Sequence, residues 1–458
     1  MINVLFCASE VAPFAKTGGL GDVTGSLPVA LGKLGVRVAV VTPRYRGIQS
    51  SRKKLSEKVT VHFVENEAYF NRASLYGNDG GDYPDNLERF SFFSRAALGL
   101  ARETGFKPDI IHVHDWQTAL IPVILKTKLS RDPFFQNSKT LLTVHNLAYQ
   151  GHFSHSLYPK LGLDPGLFSM GGFEFYGKIN LLKAGLLYAD ALNTVSPTYA
   201  REIQTKEYGF GLEGVIHQRR GRLKGILNGI DTALWGPEKD RRIKKTFSAK
   251  RLDGKAACKA ELQKSGGLEV NPRIPVFGIV SRLAEQKGMD VLLESADALL
   301  SRKAQLVLLG DGDAVYKRGF GNVGRRHPGS ASVHIGFNAA EAHKIYAGSD
   351  FFLMPSHFEP CGLGQMISLR YGTLPIVRRT GGLADTIEDA DADPKHGNGF
   401  VFEDRRAHGF LGSVDRAIRA FRDTRRFDAL RRHAMKMDFS WDVSATEYVK
   451  YYKEIMRG

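Results

Sequence analysis

Lys16-Thr17-Gly18-Gly19-Leu20-Gly21-Asp22 follows closely on a short apolar run, Ile2 to Cys7. The run reads as a buried strand, and Val23 to Leu34 reads as a helix with a break at Pro28. Strand, glycine turn and helix is the arrangement that aims backbone N–H groups at an anion. A side chain at the glycine positions would hold a ligand off the backbone. Lys16 stands where its ammonium reaches the same anion, and Asp22 where a carboxylate accepts from a polar ligand. The stretch predicts a site for a phosphate joined to something hydroxylated. It matches neither familiar phosphate loop. Gly19 and Gly21 supply two dinucleotide-type glycines, but Thr24 holds the third position. Gly32-Lys33, Gly177-Lys178 and Gly254-Lys255 are followed by Leu34, Ile179 and Ala256 instead of Ser or Thr. Taken alone, the cluster also reads as a tight strand-to-helix turn.

Outward from this stretch, apolar runs recur between amphipathic ones. Asn3–Ala8, Val36–Thr42, Ile110–His114, Thr140–His145 and Ala191–Val195 read as strands, with a further short one at Lys224–Leu227. Ala96–Glu103, Gln117–Lys126 and Lys178–Tyr188 read as helices, and Glu57–Glu65 and Phe90–Phe93 as strands of an inserted hairpin region. Such alternation argues for a doubly wound parallel sheet. Gly236 to Asn271 is rich in charge and reads as a linker with some helix. A second alternating series then runs through Pro275–Val280, Gln305–Leu309, Ser332–Ile335, Phe351–Met354 and Leu374–Val377. Ala407 to Gly458 reads mainly as helices. The expected division is an N-terminal domain over 1–238, a linker over 239–271, a second domain over 272–438 and a C-terminal helix over 439–458 that packs back on the first domain.

At 458 residues the chain exceeds one ordinary core, and its 43% hydrophobic and 24% charged content is that of a globular protein. Cys7, Cys258 and Cys361 are too few and scattered for a disulfide framework, which points to a reducing, cytoplasmic setting. No secretory signal and no membrane-spanning run is visible. The net charge of +16 is spread along the chain without aromatic interleaving, so it suits attraction of small anionic substrates better than nucleic acid.

Open α/β sheets bind ligands beyond the carboxyl ends of their strands. Polar residues concentrate at those ends: His112-Val113-His114-Asp115-Trp116, His145-Asn146 and Asn228-Gly229-Ile230-Asp231 in the first half, and Ser281-Arg282-Leu283, Gln286-Lys287-Gly288, Pro355 to Gly362 and Thr380-Gly381-Gly382-Leu383 in the second. Arg282 and Lys287 suit a diphosphate, the guanidinium by paired hydrogen bonds and the ammonium as a compact charge. They would also stabilise charge growing on a departing diphosphate. Glu359 suits sugar hydroxyls, or a helix N-terminus. Gly381-Gly382 repeats the anion-cradle logic. His112 and His114 share a strand face without a third metal ligand, and Asp311 and Asp313 fit a turn better than a metal. No metal or cofactor is expected.

These motifs, in this order, resemble the bacterial and plastid glycogen (starch) synthases. The match is carried by Lys16–Asp22, His114-Asp115-Trp116, Thr143 to Gly151, Leu227-Asn228-Gly229-Ile230-Asp231, Ser281 to Gly288, Phe358-Glu359-Pro360-Cys361-Gly362-Leu363, and Tyr371-Gly372-Thr373-Leu374-Pro375 leading into Arg378 to Thr386. The resemblance implies an α/β fold of two Rossmann-like doubly wound domains with an interdomain cleft, glycosyltransferase type B. It implies retaining transfer of glucose from ADP-glucose to the non-reducing-end 4-hydroxyl of an α-1,4-glucan. By the same resemblance Lys16, Gly18 and Gly19 meet the distal phosphate and sugar, and Arg282 and Lys287 hold the diphosphate. Glu359 with Cys361, Gly362 and Leu363 binds glucose hydroxyls. Asp22, Asp115, His145, Asn146 and Asn228 line the sugar and acceptor side, and Tyr371, Thr380, Gly381 and Gly382 border the nucleotide and phosphates. Ile367 stands where many related transferases carry a second glutamate, Gly364 where a threonine is usual, and Gln117 where a histidine is common.

With one carboxylate clearly placed at the sugar, the two-carboxylate scheme of retaining glycosidases gives way to front-face attack, in which a diphosphate oxygen takes the acceptor proton. The alternatives are a UDP-glucose-dependent transferase of the same fold, a glucan-binding protein without activity, and a sugar-nucleotide isomerase.

Overall fold

The recurring apolar runs form two mainly parallel sheets in a computed structural model, which describes residues 1–78 and 81–458. The chain divides into two units: Met1–Gly229 with Trp441–Gly458, and Ile230–Ser440.

In the first unit the strands are β1 (Asn3–Cys7), β2 (Arg37–Pro43), β3 (Arg52–Ser56), β4 (Val59–Val64), β5 (Ile110–His114), β6 (Lys139–Val144), β7 (Ala191–Thr194) and β8 (Leu223–Gly225). They lie in the order β8-β7-β6-β5-β1-β2-β4-β3. All pairs are parallel except β3 with β4. The central strands are buried on both faces, as covered parallel strands must be. The chain winds away from β1 through β2 to β4, then returns to β5 on the other side of β1. That reversal makes the ends of β1 and β5 the switch point where a doubly wound sheet leaves a crevice.

α1 (Gly19–Lys33) passes through Pro28 without the expected break. Proline removes one backbone bond, but Val23, Leu27, Ala30 and Leu31 are buried along the helix and keep it continuous. Phe90–Phe93 is likewise helix instead of strand, lying inside α2 (Asn86–Glu103). Its aromatics suggest strand when read locally, but Leu87, Phe90, Ser94, Ala97, Leu98 and Ala101 are buried at helical spacing. Lys178–Asn180 pairs with His152–Ser154 as a strand, and the helix expected from Lys178 begins at Leu181, where Asn180 accepts from the Lys183 N–H at 2.8 Å.

The second unit has β9 (Val276–Leu283), β10 (Gln305–Gly312), β11 (Ala331–Ile335), β12 (Phe351–Met354), β13 (Leu374–Arg378) and β14 (Phe400–Phe402). All are parallel, in the order β11-β10-β9-β12-β13-β14. Counted from its own first strand this is the doubly wound order 3-2-1-4-5-6, whose switch point lies between β9 and β12. The helices that matter below are α3 (Asp253–Ser265), α4 (Met289–Leu300), α5 (Gly364–Arg370), α6 (Gly381–Thr386), α7 (Ala407–Arg422) and α8 (Thr424–Ala434). α3 lies in the stretch read as a linker and counts with this unit. The sheet's core is aliphatic and aromatic, built from residues such as Phe277, Leu306, Phe351, Ile376 and Phe400.

The last helix, α9 (Trp441–Arg457), counts with the first unit. Trp441, Ala445, Tyr448, Tyr452 and Ile455 recur every three or four residues and are buried with Val4, Val38 and Leu141. No helix among the described residues is long and apolar enough to cross a membrane.

Candidate active site

In the first unit, the chain leaving β1 carries Glu10 beneath the glycine loop. Its buried carboxylate accepts from the Thr17 N–H (2.7 Å), the Thr17 hydroxyl (2.6 Å), the Gly18 N–H (3.3 Å) and the Tyr76 hydroxyl (2.7 Å). These charge-assisted bonds fix the loop. Lys16 lies against Asp22 at 2.6 Å. A Cβ at Gly18 or Gly19 would meet nothing within 4 Å, and no side chain caps α1, which begins at Gly19. The first N–H groups of the helix are thus left for a ligand, without side chains in the way.

The other side of the switch point is Asp115, directly after β5. Its φ is +54°, a left-handed conformation that Asp tolerates better than most residues. The carboxylate turns beneath the next loop, where Oδ1 accepts from the His145 N–H at 2.7 Å. Burial pushes the Asp115 carboxyl up to about 7, against the opposing effect of backbone N–H groups of His145 and Asn146. His145 Nε2 lies 3.0 Å from His114 Nδ1, so one ring donates and the other accepts. Burial pulls His145 down to about 3 and holds His114 and His112 well below the usual histidine range. His145 is therefore neutral at physiological pH and suits hydrogen bonding rather than proton donation. Asn146 Oδ1 is used in its own turn, accepting from the Ala148 N–H at 3.1 Å. His112 Nδ1 is 2.8 Å from the Tyr452 hydroxyl on α9, which ties this strand to the last helix.

In the second unit, the switch point brings the loops after β9 and β12 together. Lys287 Nζ donates to both oxygens of Glu359, at 2.7 and 2.6 Å, and the Ser356 hydroxyl adds a bond at 3.1 Å. Glu359 is 4% exposed, and that ammonium is its counter-charge. Arg282 Nη2 bonds Gln286 Oε1 at 3.1 Å. Gly288, at φ +68°, has no room for a Cβ, which would lie 2.0 Å from the Pro355 carbonyl oxygen. The loops after β9 and β12 are in that sense built for each other. Cys361, Gly362 and Leu363 follow Glu359 into α5, held by Gln365, whose Nε2 donates to the carbonyls of Cys361 and Gly362 at 3.0 Å each.

Four expected site residues are placed otherwise. Tyr371 follows the C-terminus of α5, just before β13, at the edge of the sheet where strands begin. It is fully buried, donates to Asp240 at 2.6 Å, and cannot border a ligand at the opposite edge. The Gly382 N–H is committed to the carbonyl of Glu359 at 3.1 Å, so it does not cradle a phosphate. The glycines after Thr380 serve close packing instead: a Cβ on Gly381 would lie 2.0 Å from the Glu359 carbonyl oxygen. Asn228 follows the edge strand β8, away from the switch point, and is buried with no partner for Oδ1 among the described residues.

The motif reading missed the supports. Glu10 belongs to none of the motifs quoted above. Tyr76 gave no signal, because its partners lie 66 and 67 residues away. Arg378, at the end of β13, donates through Nε to the Ser356 carbonyl at 2.8 Å and through Nη2 to that of His357, bracing the Glu359 loop. No cluster of three or more metal-binding side chains occurs among the described residues.

Two doubly wound units, each with polar loops gathered at its switch point, have the architecture of a two-domain glycosyltransferase. Residues 3–218 match the starch synthase catalytic domain, and residues 263–429 match the glycosyl transferases group 1 family. The chain is 45% identical to a glycogen synthase of Syntrophotalea carbinolica, over 99% of each chain, and 47% identical to one of Anaeromyxobacter dehalogenans over the whole of both. It also matches the catalytic domain of starch synthase IV from Arabidopsis thaliana, solved with ADP and acarbose, with a TM-score of 0.92 and 35% identity over all of both chains. The chain belongs to the glycogen synthase family.

Proposed function

We propose that the protein elongates glycogen by moving glucose from ADP-glucose to the non-reducing-end 4-hydroxyl of an α-1,4-glucan, with the anomeric configuration retained. The observation that carries this reading is the Lys287–Glu359 pair at the switch point of the second unit. It sets a phosphate-binding cation directly against a hydroxyl-binding carboxylate, as a sugar diphosphate requires. The ADP and acarbose of the Arabidopsis relative support the adenine donor and the glucan acceptor.

In this reading the residues of each unit take the roles that family membership implies. Lys16 and the open start of α1 meet the distal phosphate and the sugar. Arg282 and Lys287 hold the diphosphate. Two Lys287 N–H groups point at Glu359, and the third remains for a phosphate oxygen. The bond between glucose C1 and the diphosphate oxygen breaks as the acceptor O4 bonds to C1 on the same face. The acceptor proton passes to the departing diphosphate. The protein supplies position, cationic stabilisation and exclusion of water. His145 and Asp115 hydrogen-bond sugar on the first-unit side. Three free, buried cysteines agree with a cytoplasmic setting.

The test is release of ADP from ADP-glucose with glycogen as primer, run beside UDP-glucose. Primer-dependent ADP release with lengthened glucan is expected. Faster turnover of UDP-glucose would reject the donor, and ADP release without glucan growth would reject the acceptor.

A further inference from the structure

The second unit contains a cavity of about 840 Å³ that the transfer reaction does not use. Its walls come from α3, Pro272 and Arg273, Asp350, α8 and the end of α7. Arg273 precedes β9 and Asp350 precedes β12, so the cavity lies where the parallel strands begin. Arg282, Lys287 and Glu359 follow those same strands, at the opposite edge of the sheet.

The wall is unbalanced in charge. Lys255, Lys259 and Asp350 are 2%, 7% and 1% exposed, and the Arg431 side chain 14%. Asp350 is the one carboxylate buried among them, and it is saturated. It accepts from Lys259 at 2.7 Å, from Arg431 and from the Val276 N–H at 2.9 Å. Among the described residues Lys255 hydrogen-bonds the Thr373 hydroxyl at 2.7 Å and the Ala347 carbonyl at 3.1 Å, and no carboxylate. Arg431 Nε is buried with no partner among the described residues. Arg273, Arg422 and Arg432 add further cations to the wall, whereas Asp253 is engaged by Lys245 at 2.9 Å and Asp428 lies 3.9 Å from Arg431. Buried charge left without a counter-charge is costly. An anion drawn from solution would remove that cost. The volume exceeds what one phosphate needs, and Phe421 and Phe427 give the cavity an apolar side.

We propose that this cavity binds a small phosphate-bearing anion, with Lys255, Lys259 and Arg431 as inner ligands and Arg422 and Arg432 at the rim. The site is distinct from the donor site and does not depend on the proposed reaction. Burial holds the Lys255 ammonium well below the usual lysine range, and an anion beside it would raise it again.

The experiment is isothermal titration of the full chain with inorganic pyrophosphate, in an Arg282→Ala/Lys287→Met/Glu359→Gln background that removes the proposed donor cations without stranding the Glu359 charge. One saturable site is expected. Arg422→Gln with Arg432→Gln should weaken binding about fivefold or more, each lost rim charge contributing a modest factor. In the otherwise native chain the same rim pair should leave glucosyl transfer unchanged. Lys255→Met should weaken binding further. If that variant fails to fold, the rim pair decides. Absence of saturable binding, or affinity indifferent to the rim pair, overturns the proposal.

Discussion

Replacing Asp115 by Asn should stabilise the protein above neutral pH while impairing it as an enzyme. In an unfolded chain this carboxyl ionises near 3.8, whereas burial in the native state holds the proton on until about 7. Between those two values the folded chain binds one more proton than the unfolded one. The contribution of this group to stability is therefore full below about pH 4, falls as pH rises towards 7, and stays low above that. Three units of pKa correspond to about 4 kcal/mol at most. Asn keeps the shape, tolerates the left-handed φ of +54° and still accepts from the His145 N–H, but carries no charge. The expected gain is roughly 2–4 kcal/mol at pH 8.5 and about 1–1.5 kcal/mol at pH 5, because Asn resembles the protonated acid. Urea unfolding followed by fluorescence of the neighbouring Trp116 at both pH values measures it. Equal differences at the two values, or a less stable variant at pH 8.5, would refute the reasoning. On the proposed sugar side, the same substitution should lower kcat/KM.

Lys287→Met should destabilise the second unit by about 3–5 kcal/mol, since it strands the buried Glu359 charge. Adding Glu359→Gln should restore much of that stability in denaturant unfolding but none of the transfer rate. Glu10→Gln should lower kcat/KM roughly tenfold or more by loosening the Lys16–Gly19 loop, and an unchanged rate would show that the loop orders itself without Glu10. Gly381→Ala should prevent normal folding of the second unit, because its Cβ would lie 2.0 Å from a carbonyl oxygen. A wild-type melting profile would show that the Glu359 loop can move aside.

The sheets were legible in the sequence because covered parallel strands are continuous apolar runs, and most of the expected strands agree with the observed ones to within a residue or two. The glycine and cation motifs were legible because they sit where strands end. Periodicity was the weak point. Phe90–Phe93 looks like a strand within four residues and like a helix only over the whole of α2. Tyr371 was misplaced because its motif runs the length of β13 to Arg378 and Thr380, and one strand is enough to cross from one edge of the sheet to the other. Glu10, Tyr76 and Arg378 act through partners distant in the chain, a relation that no local pattern encodes. The charges of Lys255 and Lys259 suggested a solvated linker, whereas their burial is decided by α8 and Asp350, which come much later.

The Trp441–Arg457 helix has a consequence for biosynthesis. The interior around Val4 and Val38 is sealed by Trp441, Tyr448 and Tyr452, so a nascent chain exposes that seam until residues 441–457 have left the ribosome. The intervening Ile230–Ser440 module has all its strands available sooner. It can mature first although it is translated second, and a truncation that removes residues 441–457 would injure the part of the molecule made earliest.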